Sequence, residues 1–203
     1  EDTIVIYYYK LKTPSIINSN ITKTSTTEKY TELGKTLEYT ISYQATIEQY
    51  KGNGIVTIVD ELPYEIDVSN SNLNGGVYNA TLKTITWTEE IKDVDTFINN
   101  TGKHDINISK TITVKYENID TSKSEILNKV KGTLQLLTPE KTDEVSSENT
   151  IPTEFKTNIT VTKIWDDNEN ALGKRPENVT IVLKGNGEEK EVVLSKANEV
   201  QNG

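Results

Sequence analysis

The sequence predicts an all-β protein built as a β-sandwich. Two observations carry that expectation. Ile, Val, Thr and Tyr recur in short runs that alternate apolar and polar residues, the period of a strand with one buried face. Turn signals punctuate those runs, among them Lys51-Gly52-Asn53-Gly54, Leu62-Pro63, Asn74-Gly75-Gly76 and Thr101-Gly102. Helical periodicity is hard to find.

Taken in order, residues 3–9 read as one strand rich in Ile, Val and Tyr, with no partner before it. Residues 1–12 are therefore expected to close a domain that continues upstream. The polar stretch 13–19, with Pro14, Ser15 and Asn18, reads as a linker. Strands follow at 21–25, 36–45, 54–60, 77–80, 84–88, 106–117 and 132–137, which makes residues 20–137 the sandwich. The segment 138–156 is rich in Glu and Ser, poor in apolar residues and carries Pro139 and Pro152, so it reads as a second linker. A new β-pattern begins in 157–203, with strands expected at 158–165, 178–183 and 188–194. About three strands cannot close a sandwich, so this second domain is expected to be cut off. The lack of Met among the 203 residues points to an interior fragment or a processed chain.

Composition narrows the function. The net charge of −9 and a single arginine, Arg175, argue against nucleic acid, which needs clustered cations. No apolar run is long enough to span a membrane, and no membrane contact is expected. No cofactor or metal is called for. Asp166-Asp167-Asn168-Glu169-Asn170, with Glu177 in twelfth place, imitates an EF-hand loop, but Ala171 replaces the required glycine and the run reads as a solvated turn. His104 stands alone in a polar loop and cannot build a triad or a metal site. Trp87 and Trp165 read as core residues. Cysteine is absent, so a thin β-domain outside the cell would need a staple other than a disulfide.

Two lysines break the pattern. Lys163 lies on the face that Ile159, Val161 and Trp165 share, and Lys23 follows Ile21 in the same way. A buried ammonium is expensive unless it is paired or loses its proton, and a neutral lysine is a nucleophile. Lys29 and Lys35 lie in polar surroundings and are expected at the surface.

The segment Val161-Thr162-Lys163-Ile164-Trp165-Asp166-Asp167, then Gly173-Lys174-Arg175-Pro176 and Val179–Leu183, strongly resembles the opening of a Cna protein B-type domain, a stalk repeat of Gram-positive surface proteins. Residues 20–137 resemble the immunoglobulin-like, isopeptide-forming domains of Gram-positive fimbrial and adhesin proteins. The motifs are Ile21-Thr22-Lys23, Leu37–Ile41, Val59-Asp60-Glu61-Leu62-Pro63, Thr84-Ile85-Thr86-Trp87 and Ile126-Leu127-Asn128. Residues 3–10 resemble the closing strand of a mucin-binding-type repeat.

These resemblances imply an immunoglobulin-like β-sandwich followed by a partial Cna B-type β-sandwich. They also imply a chemistry, an amide joining Lys23 to Asn128 with Asp60 assisting as proton shuttle. Asp60 shares its face with Val56 and Ile58, and Asn128 with Ile126 and Val130, so all three polar groups are expected to point into the core. Glu61 is the rival acid, placed outward by alternation. Lys163 is the corresponding lysine of the second domain, its partners lying beyond residue 203. The implied protein is an extracellular, wall-anchored stalk or adhesin module, anchored through a missing C-terminal region, with no turnover activity. Host matrix or glycan is the implied partner if it is instead a ligand-binding adhesin domain. A pilus subunit is a further alternative, disfavoured because no pilin motif of the Y-P-K-N kind is present.

Overall fold

Alternation holds along most of the chain, and it builds two facing antiparallel sheets. The structure, a computed structural model, describes residues 13–98, 100–155, 160–166, 168–185 and 188–195. The strand expected at 3–9 lies outside them. The chain divides into two compact units, 1–157 and 158–203.

In the first unit β1 (Ser15–Ser25), β2 (Thr36–Glu48) and β6 (Lys103–Lys115) form one sheet in the order β1-β2-β6. β3 (Lys51–Glu61), β4 (Val77–Asn79), β5 (Thr84–Asp95), β7 (Glu125–Leu137) and β8 (Glu140–Pro152) form the other, in the order β4-β5-β3-β7-β8. A single 3-10 turn, Val68–Asn70, interrupts the β-structure between β3 and β4 and is capped by the Asp67 side chain. The core lies between the sheets, where every second residue of a strand turns inward. β2 supplies Leu37, Tyr39, Ile41, Tyr43, Ala45 and Ile47, all buried. β3 supplies Val56 and Ile58, and β7 supplies Ile126, Val130, Leu134 and Leu136. Trp87 is a core residue whose indole Nε1 donates to the carbonyls of Leu73 and Asn74 at 3.0 and 3.1 Å.

Both expected linkers are strands in large part. Ser15–Asn20 belongs to β1, pairing with the end of β2 across a register shift at Ile17/Asn20, where Asn18 has φ 54°. The polar, turn-forming residues that suggested a linker make this bulge. Glu140–Pro152 is β8, joined to β7 by a two-residue turn at Thr138-Pro139 and paired with it along its whole length. Its Glu and Ser residues are compatible with a strand because β8 is the last strand of its sheet and has one face toward solvent. His104 lies on β6 opposite Ile47, half-buried, rather than in a loop.

In the second unit β9 (Asn178–Gly185) and β10 (Glu188–Ser195) form an antiparallel hairpin. Of the strand expected at 158–165, residues 158–159 lie outside the described residues and no strand is found in the rest. Residues 160–166 have no regular structure and are exposed, including Lys163. Trp165 is 37% exposed, so it is not a core residue. Among the described residues of this unit, β9 and β10 are the strands, and neither of them covers the face of Lys163 and Trp165.

Candidate functional site

Lys23 comes from β1, opposite Ile41 of β2, and so from the three-stranded sheet. Asp60 comes from β3 in the other sheet, opposite Val130 of β7. Asn128 is two residues before Val130, on the same face of β7, which makes it a diagonal neighbour of Asp60. The alternation that buries Ile21, Ile58 and Ile126 carries these three polar side chains inward with them. Lys23 is 4% exposed and Asp60 and Asn128 are 0% exposed.

The lysine and the aspartate meet across the core. Lys23 Nζ lies 2.5 Å from Asp60 Oδ1, and neither side chain reaches solvent. The ammonium end also sits 4.3 Å above the Tyr39 ring. Burial pushes the Lys23 amine below the usual lysine range, against the upward pull of Asp60. Burial pushes the Asp60 carboxyl up, against the downward pull of Lys23 and of the Asn128 amide beside it. Both shifts favour the same state, a neutral amine beside a protonated acid.

Asn128 is held from its other side. Its Nδ2 donates to Tyr116 Oη at 3.1 Å. Its Oδ1 is buried and has no hydrogen-bond partner among the described residues, and the same is true of Asp60 Oδ2. Two acceptor oxygens left over in one dry site lack a donor, and a proton on Asp60 would supply one.

Of the sequence-predicted residues, then, Lys23, Asp60 and Asn128 come together, while Glu61 beside Asp60 is exposed. Lys29 and Lys35 pair at the surface with Glu154 and Glu32. Lys163 is not buried. Its Nζ donates to the Ile164 carbonyl at 2.9 Å and stands 4.3 Å over the Trp165 ring, which Arg175 approaches from 5.5 Å. Three residues of the site escaped the sequence reading. Tyr39 and Tyr116 were legible, since each continues an inward alternation, Leu37-x-Tyr39-x-Ile41 and Ile112-x-Val114-x-Tyr116. Asn149 stands opposite Asn128 and also carries a buried Oδ1 without a partner among the described residues. Its signal was hidden by the reading of β8 as a linker.

Several solved structures resemble the chain. The full-length major pilin SpaD from Corynebacterium diphtheriae matches with 18% identity and a TM-score of 0.40, over 66% of this chain and 35% of that one. AvmM, which catalyses macrocyclization in alchivemycin A biosynthesis, matches with 8% identity and a TM-score of 0.30, over 71% and 93%. ACE19, the collagen-binding subdomain of the Enterococcus faecalis surface protein ACE, matches with 9% identity and a TM-score of 0.28, over 73% and 99%. The chain spans about a third of the SpaD structure, and likeness at this level carries no argument about activity. No curated protein matches the chain. Residues 159–202, however, match the family model of the Cna protein B-type domain, so this segment is similar to that family, in keeping with its Lys163–Asp167 and Gly173–Pro176 motifs.

Proposed function

We propose that the first unit is a structural stalk module of a cell-surface protein, closed by an amide between Lys23 Nζ and Asn128 Cγ. The observation that supports this most is the dry Lys23–Asp60 contact at 2.5 Å with the Asn128 amide beside it. A buried ion pair on this scale is a poor source of stability, and a well-packed apolar pair would serve the core as well. The arrangement makes sense as reactants held in place.

The chemistry balances without a cofactor. The neutral Lys23 amine attacks Asn128 Cγ, and the carbonyl electron pair moves onto Oδ1, which the protonated Asp60 stabilises by hydrogen bonding. Asp60 gives its proton to Nδ2 and takes one from Nζ in exchange, and the electron pair on Oδ1 re-forms the carbonyl. The Cγ–Nδ2 bond then breaks, ammonia leaves, and Asp60 is restored. The fold supplies proximity, so the reaction runs once per chain. The product ties β1 to β7 and with it the two sheets. On this reading the module belongs outside the cell on a Gram-positive wall, in series with the Cna B-type segment, and it resists force and proteolysis rather than turning over a substrate.

Intact mass tests it. The purified chain is expected to weigh less than its sequence by one ammonia, and Lys23→Ala to show the mass of its own sequence. A wild-type chain at its full sequence mass would overturn the proposal.

A further inference from the structure

We propose that the outer face of the β1-β2-β6 sheet is a docking surface for a neutral, polyhydroxylated glycan, seated across the strands on Thr22, Ser42 and Ser109. The register builds this face in rows that cross the strands. Thr22 of β1 stands opposite Ser42 of β2, which stands opposite Ser109 of β6. The row to one side is Asn20, Gln44 and Asn107, and the row to the other is Thr24, Thr40 and Thr111. Alternation turns them outward, because Ile21, Lys23, Ile41 and Tyr43 between them point into the core. Thr40 is half-buried and the rest are exposed. Rows lie about 6.8 Å apart along the strands, and neighbours within a row about 4.8 Å apart. The short hydroxyl row and the longer Asn20, Gln44 and Asn107 beside it line a hollow of about 320 Å³, near the lower end of the range for small-molecule sites.

None of these nine side chains is charged, in a chain whose residues are 26% charged. Solvent exposure alone does not produce such a face here. The outer face of the other sheet carries Glu61, Lys129, Lys131 and Glu148, with Lys131 paired to Glu144 at 3.2 Å. Charge returns at the borders of the neutral block, at Glu38 on one side and at Asp105 and the Lys103–Glu48 pair on the other. Each hydroxyl and carboxamide of the block both donates and accepts, as sugar hydroxyls do. A charged ligand would find no counter-ion there and would lose its own hydration. The Thr40 and Thr111 hydroxyls approach to 3.3 Å; apart from that contact, none of the nine side chains bonds to another described residue, so their polar groups are open to a ligand. A second copy of the chain is the poorer occupant, since stacking would bring together two net charges of −9. The block holds no aromatic ring for a sugar to stack on, so affinity rests on a few net hydrogen bonds and is weak, on the order of 1 mM at a single site. The face includes none of Lys23, Asp60 and Asn128, so the inference stands apart from the cross-link.

The test is a chemical-shift titration of the isotope-labelled full chain. The probes are neutral oligosaccharides of glucose, galactose, mannose and N-acetylglucosamine, with heparin and hyaluronan fragments as charged comparators. At least one neutral probe is expected to move the backbone amides of Thr22, Ser42 and Ser109 saturably, while the charged fragments leave them in place. Ser42→Lys and Ser109→Lys each set an ammonium on the floor of the hollow and should weaken binding at least roughly tenfold. Two such variants are made so that the test survives if one does not fold, native Trp87 fluorescence being the criterion. Thr133→Lys puts the same charge on the outer face of β7, opposite Glu144, and should bind as wild type does. Lys23→Ala should also bind as wild type, which keeps this outcome separate from that of the cross-link. If no neutral probe moves these amides, or the charged fragments move them equally, the proposal falls. It falls as well if a folded floor variant binds at wild-type strength. Shifts of the same amides with protein concentration alone would give the face to a second copy and overturn the glycan.

Discussion

Lys23 and Lys163 begin alike and end in opposite surroundings. Each continues an apolar alternation, Ile21-x-Lys23 in one case and Val161-x-Lys163-x-Trp165 in the other. Lys23 is sealed between two sheets against Asp60, whereas Lys163 is exposed and lies over a Trp165 ring that is itself 37% exposed. Among the described residues, a second sheet faces Lys23 and none faces Lys163. Alternation decides which side chains share a face; only a second sheet makes that face an interior. Reactivity follows the layer, because desolvation is what moves an amine and an acid toward their neutral forms.

The sharpest way to break this comparison is to remove each lysine in turn. Lys23→Ala is expected to abolish the ammonia loss and to open a closed loop that runs from residue 23 to residue 128. For a loop of about 100 residues the entropy model gives about 4.7 kcal/mol, or roughly 10–20 °C in melting temperature for a domain of this size. Pulled between its ends, wild type should keep roughly 350 Å of enclosed contour shut, at about 3.4 Å per residue, and Lys23→Ala should release it. Lys163→Ala touches an exposed contact and is expected to shift stability by no more than about 0.5 kcal/mol, with no change in the mass deficit. Calorimetry and intact mass on both variants decide the matter; equal effects would mean that burial is not what separates the two lysines.

Acidity sharpens the comparison from the other side. In Lys23→Ala the two influences of Lys23 that lower the Asp60 pKa are gone, and burial, the largest influence, is opposed only by the Asn128 amide. Its folded pKa then lies further above the unfolded value. A group shifted in this direction stabilises fully below its unfolded pKa, and that contribution is lost as pH rises through the folded pKa. Lys23→Ala should therefore melt at a higher temperature in mild acid than at neutral pH, by an amount reflecting about 3 kcal/mol for an uncompensated buried charge. Adding Asp60→Asn should flatten that dependence. Melting curves across pH give the answer; a flat profile in Lys23→Ala would show that Asp60 is not buried as an acid. Among the described residues no buried acid is paired with Lys163, so Lys163→Ala should follow the wild-type pH profile.

Much of this was legible in the sequence, and the failures share a cause. The inward placement of Asp60 follows from Val56 and Ile58, and that of Asn128 from Ile126 and Val130, because both strands are flanked by sheet neighbours that keep a strict period of two. β8 escaped because an edge strand needs few apolar residues; only Ile151 on it is buried. The first half of β1 escaped because Asn18 adopts a positive φ and breaks the alternation. Lys163 differs in another way: its alternation is clean, yet residues 160–166 have no regular structure and are exposed. Contacts across sheets, such as Asn128 Nδ2 to Tyr116 Oη, depend on how strands from different parts of the chain come to oppose one another, and no local period encodes that.

The smallest predicted effect tests the facing layer by adding one carbon to it. Gly132 lies on the inner face of β7, between Val130 and Leu134. A Cβ there would stand 2.6 Å from Tyr43 Cδ2 and 3.1 Å from Ile21 Cδ1. The Tyr43 ring is fully buried and Ile21 precedes Lys23 by two residues on β1, so relief of that clash must lift the sheet that carries the lysine. Gly132→Ala is expected to destabilise by about 1–3 kcal/mol and to slow ammonia loss, since the amine moves away from Asn128. Gly185, at the end of β9, has nothing within 4 Å of the same position. Gly185→Ala should change stability by less than about 1 kcal/mol, and in the stabilising direction, because alanine restricts the unfolded chain without meeting anything in the folded one. The two alanines, compared by denaturant melts and by the cross-linking time course, measure the facing layer in one unit and its lack at Gly185 in the other. If Gly132→Ala were as mild as Gly185→Ala, the tight approach of β7 to β1 and β2 would not be what brings Lys23 to its partner.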